Sequence, residues 1–225
     1  TGMLPICFGE ATKFSQFLLE SDKSYRVTAK LGVTTETGDA DGDVVETTEV
    51  NASPDQIETA LLSFKGDIEQ IPSMYSAIKH EGVPLYKLAR EGKTVERKPR
   101  PVTIYDLRIL RIDGDEVEFE VDCSKGTYVR SLVEDTGAIL GCGGHVTALH
   151  RLSAGPYPSE RMLTLEQLGK IKETGGFEAI DELRELYGKL RAEMARIIIG
   201  QEQVIEQMLM CILSRGHGLL MGVPG

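Results

Sequence analysis

From Glu116 to Val121 glutamate and apolar residues alternate without a break (EVEFEV), a pattern open to few structural readings. A period of two sends successive side chains to opposite faces of an extended backbone, so Val117, Phe119 and Val121 share one face and Glu116, Glu118 and Glu120 the other. This predicts an antiparallel strand with one face in a core and one in water. The preceding Asp113-Gly114-Asp115 is a turn signal, and Val102 to Ile112 before it reads as the partner strand of a hairpin. A lone hairpin is marginal in water, so other elements must cover its apolar face.

Those elements are legible nearby. Ser24 to Gly32 (SYRVTAKLG) alternates between turn formers and reads as a strand, as does His145 to Leu152. Ser53-Pro54-Asp55-Gln56 marks a helix start, with an N-cap serine, proline at the first helical position and glutamine three residues after the cap; Gly66 is its expected end. Pro84 to Arg90 predicts a short helix, and Thr127 to Leu140 a longer one closed by Gly141. Hairpins with interspersed helices argue for an α+β class rather than regular βαβ units. Further on, Glu178 to Ile199 carries Leu183, Leu186, Leu190, Met194 and Ile197 at helical spacing. A second helix is expected over Glu202 to Ser214 and a short buried strand over Gly218 to Met221.

Composition sets limits on function. The 225 residues are 41% hydrophobic and 27% charged, ordinary for a soluble globular chain, and no apolar stretch approaches the roughly 20 residues of a membrane span. The start at Thr1 shows no basic segment followed by an apolar one, so a cytoplasmic location is expected. Cys7, Cys123, Cys142 and Cys211 lack paired C-x-x-C spacing, which argues for reduced thiols and against a zinc ribbon. Cys142, His145 and His150 are close in sequence, but a regular strand puts the two histidines on opposite faces; no metal is expected. Asp39-Ala40-Asp41-Gly42-Asp43 begins like a calcium loop, yet Val44 stands at its sixth position and Val50 at its twelfth, so it reads as a solvated or Asx-ordered surface turn. A net charge of −10 means that any nucleic-acid site must be a local basic patch. The densest cluster is Arg90, Lys93, Arg97, Lys98 and Arg100, which fits either phosphate contact or a solvated loop.

Six strings occur in order over roughly residues 1 to 180: TGMLPICFGEATK, SDKSYRV, TETGDADG, IPSMYSAIKHEGVPLYKLAREG, CSKGTYVRSL and LGCGGHVTALHRLSAGPY. Together they resemble the catalytic domain of the TruB family of tRNA pseudouridine synthases, which implies an α+β pseudouridine-synthase core with a mixed, largely antiparallel sheet. The resemblance implies isomerisation of one uridine in the T-arm of tRNA without a cofactor, by way of a carboxylate nucleophile. That nucleophile is the aspartate of a G-x-L-D-P-x-A-T-G motif, whose last two residues match Thr1-Gly2; it falls upstream of Thr1, so this chain is expected to be inactive by itself. Tyr25 matches the tyrosine lying against the target base, with a proton-transfer role; on pattern alone it is a core strand tyrosine. Arg130 matches the arginine that pairs with the nucleophile and is expected to have lost that partner, Tyr128 a substrate-pocket residue and Leu149 an apolar residue of the base site. The run Ser73 to Lys79 with Tyr86 helps frame the cleft in the family, and Tyr75 and Lys79 read as structural or RNA-contacting.

From about Asp181 the chain resembles the opening of a MoxR-type AAA+ ATPase, on Gly200-Gln201 and on Gly222 to Gly225, which match the first four residues of a Walker A loop. The lysine and magnesium-binding hydroxyl of that loop are not present, so ATP binding is not expected. The expected organisation is a synthase domain over 1 to 180 and a partial ATPase segment over 181 to 225, simplest as a join of two unrelated coding segments. The alternative functions are an ATPase fragment or a non-catalytic RNA-binding module.

Overall fold

A computed structural model describes residues 1–7, 12–13, 15–158 and 162–173, with the isolated positions Glu185, Gly188, Lys189 and Ala192. The helices and strands expected between residues 178 and 221, Cys211, and the ATPase-like segment apart from those four positions lie outside the described residues. In chain order the first elements are α1 (Ser15–Leu19), β1 (Lys23–Leu31), β2 (Val33–Thr35), β3 (Val44–Thr47), α2 (Pro54–Leu62), β4 (Gly66–Gln70), β5 (Lys79–His80) and β6 (Val83–Pro84). Then come α3 (Leu85–Arg90), β7 (Arg100–Asp113), β8 (Glu116–Cys123), α4 (Val129–Leu140), β9 (Gly144–Ala154), β10 (Tyr157–Pro158) and α5 (Leu165–Glu173). Two compact units are distinguished, Thr1–Met162 and Leu163–Gly225.

The first unit is built on a six-stranded sheet of order β10-β9-β1-β8-β7-β4 whose strand pairs are all antiparallel. Two isolated parallel bridges, Gly2 to Arg151 and Asp39 to Val146, give it its mixed character. The alternating run becomes β8, with Val117, Phe119 and Val121 buried and joined by Val27, Ala29 and Leu31 of β1 and Ile104 and Leu107 of β7. Ile57 and Leu61 of α2 and Leu132 and Val133 of α4 belong to the same core cluster. Each fully buried side chain of this kind contributes about 1.5–3 kcal/mol. On the other face Glu120 accepts hydrogen bonds from Arg26 at 2.7 Å and from Arg108, while Lys30 pairs with Asp115 at 2.9 Å. Exposed ion pairs are worth about 0–1 kcal/mol. The apolar face therefore sets the register.

Several boundaries differ from expectation. The helix begun at Ser53 does form a capping box, with Gln56 N–H donating to Ser53 Oγ and Ser53 N–H to Gln56 Oε1, but it ends at Leu62. Its C-cap is Ser63, and Gly66, at φ +109°, turns the chain into β4 instead of closing the helix. The helix expected from Thr127 starts at Val129, because Thr127 Oγ1 is engaged with the Ser124 carbonyl and Tyr128 is the N-cap; Gly141 closes it in the left-handed conformation at φ 71°. His145 and His150 do not face opposite ways. A bulge in β9 between Val146 and Ala148 sets them opposite Lys30 and Arg26, which share a face of β1, since one extra residue turns an odd spacing into an even one.

In the second unit α5 begins with a reciprocal pair of bonds between Thr164 and Gln167, and Lys170 pairs with Glu166 at 2.8 Å one turn away. No helix among the described residues is long and apolar enough to cross a membrane.

Candidate functional site

β1 and β9 place two of the expected site residues together. Val27 stands opposite Leu149 and Tyr25 opposite Arg151, and residues paired across antiparallel strands share a face. Tyr25 and Leu149 thus lie on the core-facing side, both packed against the core cluster. Burial raises the pKa of the Tyr25 phenol above its ordinary value, with Cys123 adding to the effect and the Arg151 guanidinium opposing it. The phenol is accordingly neutral at physiological pH. Burial also pushes the Cys123 thiol up to about 11, which makes it an inert core thiol.

The first three residues run along β9. Arg151 N–H donates to the Thr1 carbonyl at 3.1 Å and Met3 N–H to the Arg151 carbonyl at 2.9 Å, while the Thr1 amino group reaches the Leu149 carbonyl at 2.9 Å. Arg151 Nε returns a bond to the Met3 carbonyl at 2.6 Å. Gly2 sits at φ +105°, where a Cβ would collide with the Arg151 backbone, so this contact requires glycine. The Thr-Gly pair is in this way fixed beside Leu149 and Arg151.

Tyr128 and Arg130 are set by the start of α4. Arg130 is not without a carboxylate: Nη1 donates to Asp39 Oδ2 at 2.9 Å and to the Thr37 carbonyl at 3.1 Å, and Nη2 to the Tyr75 carbonyl at 2.9 Å. This carboxylate is not the expected nucleophile but Asp39, supplied by the loop between β2 and β3, which folds back onto α4. Asp39 is itself oriented by Thr37 Oγ1 at 2.6 Å and by Asp41 N–H at 3.2 Å, an Asx turn docked on β9 through Val146 N–H to the Gly38 carbonyl. The acidic loop read as a surface turn thus braces Arg130. One turn along α4, Glu134 is partly buried and its carboxyl pKa is raised, by burial first and by Asp135 second, against the pull of Arg130 and Arg97.

Two contributors were missed from sequence. Asp39 was discounted with the calcium-like spacing. Gln70, buried at the end of β4, accepts from Tyr128 N–H at 3.0 Å and donates to its carbonyl at 3.3 Å. Its signal in the sequence is slight, a polar residue in phase with Ile68 along β4. Lys79 and His80 of β5, with Pro72, Glu96, Arg97, Lys98 and Arg100, line a cavity of about 280 Å³, so part of the basic cluster surrounds one concavity together with a carboxylate. Arg97 Nη1 donates to the Pro72 carbonyl at 3.1 Å, and its buried Nε has no hydrogen-bond partner among the described residues. Arg90 lies over the Tyr86 ring at 5.6 Å, and Lys93 pairs with Glu91. Among the described residues no group of His, Cys, Asp and Glu is placed to hold a metal ion.

A family model described as TruB family pseudouridylate synthase (N terminal domain) matches residues 1–129, and one described as tRNA pseudouridylate synthase B C-terminal domain matches residues 130–188. The second match runs past the join expected near residue 180. The chain is 58% identical over 186 residues to a protein of Aeromonas salmonicida (strain A449) named tRNA pseudouridine synthase B, covering 83% of this chain and 58% of that protein. The chain therefore spans a little over half the length of this curated relative. Among solved structures, a Cbf5-Nop10-Gar1 complex matches with TM-score 0.58 and 30% identity, over 77% of this chain and 44% of that one. An H/ACA RNP bound to a substrate RNA containing 2'-deoxyuridine matches with TM-score 0.50 and 26% identity, over 73% and 40%.

Proposed function

The chain belongs to the TruB family of pseudouridylate synthases, and from that membership we propose that it forms most of the catalytic domain of an isomerase converting one uridine in the T-arm of tRNA to pseudouridine. The observation that carries this reading is the docking of Thr1–Met3 on β9, which sets the end of the G-x-L-D-P-x-A-T-G motif against Leu149 and Arg151, one strand from Tyr25. The RNA-bound H/ACA structure, with a fold of this kind, supports an RNA substrate.

In this reading the uridine leaves its stack and enters a pocket formed by Tyr25, Tyr128 and Leu149. A carboxylate upstream of Thr1 is the nucleophile. The bond between ribose and base nitrogen breaks, the base turns, and a bond from ribose to base carbon replaces it. The carbon loses a proton and the nitrogen gains one, so the product is an isomer. Tyr25, kept neutral by burial, lies against the base and serves proton transfer. Arg130, held by Asp39, presents its guanidinium to the nucleophile. The cytoplasm is the proposed location.

Tritium release from tRNA labelled at the uridine base carbon tests the proposal. The 225-residue chain is expected to bind a T-arm hairpin RNA and release no tritium, whereas a longer protein carrying G-x-L-D-P before Thr1 releases it. Release by the 225-residue chain would show that the nucleophile is misassigned. The resemblance of residues 181–225 to a MoxR-type ATPase stands as a separate proposal resting on sequence, with no thermal stabilisation by nucleotide expected.

A further inference from the structure

Gln70 closes β4 at the edge of the six-stranded sheet, and only 2% of its surface is exposed. Its carboxamide holds both backbone polar groups of one residue 58 positions away, Tyr128. The Tyr128 carbonyl also accepts the first bond of α4, from Leu132 N–H at 3.2 Å. Tyr128 is an N-cap in extended conformation, at φ −101° and ψ 106°, and its side chain makes no capping bond. N-caps are usually Ser, Thr, Asp or Asn, whose side chains fix the turn into the helix. Here Gln70 fixes that turn from outside the helix.

The next residues continue the contact. Ser131 Oγ donates to the Ile71 carbonyl at 3.4 Å, and the Tyr75 carbonyl accepts from Arg130. Tyr128, Arg130 and Ser131 are thus held in turn by the segment that begins at Gln70. We propose that Gln70 is a positioning residue of the uridine pocket, fixing through the Tyr128 backbone how the start of α4 presents Tyr128 and Arg130 to the flipped base. The inference rests on the uridine-pocket reading above.

The test compares two T-arm hairpin RNAs, one with the target uridine and one abasic at that position, binding to the 225-residue chain by fluorescence anisotropy. The ratio of the two affinities reports the base pocket, and a general loss of folded protein lowers both affinities while leaving the ratio unchanged. Gln70→Met, similar in length but unable to hold Tyr128, is expected to reduce the wild-type preference for uridine by about tenfold, the scale of two lost hydrogen bonds. Should that variant lack a cooperative melt by circular dichroism, Gln70→Asn, polar but too short to reach both groups, decides by the same ratio. An undiminished ratio in a folded variant overturns the inference alone. No preference in the wild-type chain overturns the uridine-pocket reading and this inference with it.

Discussion

Glu134 shows how a single side chain near Arg130 couples fold and pH. Its raised pKa means that the folded chain holds this proton more tightly than the unfolded chain does. The contribution to stability is therefore complete below the ordinary carboxylate range and is lost as pH rises through the folded-state pKa. Above that pKa the ionised carboxylate, penalised by burial first and by Asp135 and Asp39 against the pull of Arg130 and Arg97, weighs against folding. Glu134→Gln is expected to raise the melting temperature at neutral pH and to leave it unchanged in acid, where the wild-type side chain is already neutral. Equal shifts at both pH values, read by calorimetry, would assign the effect to packing instead of titration.

At the scale of elements, local signals are legible in the sequence and distant ones are not. The capping box at Ser53 needs only four consecutive residues, and it was legible; Ser53→Ala is expected to cost about 1 kcal/mol in chemical denaturation, whereas a change below a few tenths would mean that tertiary contacts alone hold α2. The alternation in β8 and the glycine stop of α4 are local in the same sense. The bulge in β9 left no mark in the pattern, because an inserted residue looks like any other until its partner strand is known, and the two histidines were assigned to the wrong faces for that reason. Asp39 and Arg130 are 91 positions apart, and Gln70 and Tyr128 58, so neither pairing could be derived from spacing. Tyr25 and Leu149 were singled out only through the family motifs that flank them. Periodicity describes an active-site tyrosine and a core tyrosine in the same way.

For the molecule as a whole, a net charge of −10 coexists with a proposed nucleic-acid partner. In the proposed reading the cavity bordered by Lys79, Glu96, Arg97, Lys98 and Arg100 is the local patch such a partner would need, since counterion release depends on the cations that meet phosphates and not on the total. Arg100→Ala is expected to weaken hairpin binding and to lower the slope of log affinity against log salt by about 1; an unchanged slope would place that guanidinium off the RNA path. The sheet order has a further consequence, for synthesis. β1 is flanked by β8 and β9, with contacts to them spanning 100 and 119 positions, so it leaves the ribosome long before either neighbour exists. At common elongation rates that interval is on the order of 5–20 s. Throughout it both edges of this future interior strand are open to any other strand, and the charges of Lys23, Arg26 and Lys30 discourage such pairing. The exposure of this strand during synthesis is therefore set by the order in which its strands are encoded, whatever the stability of the finished fold.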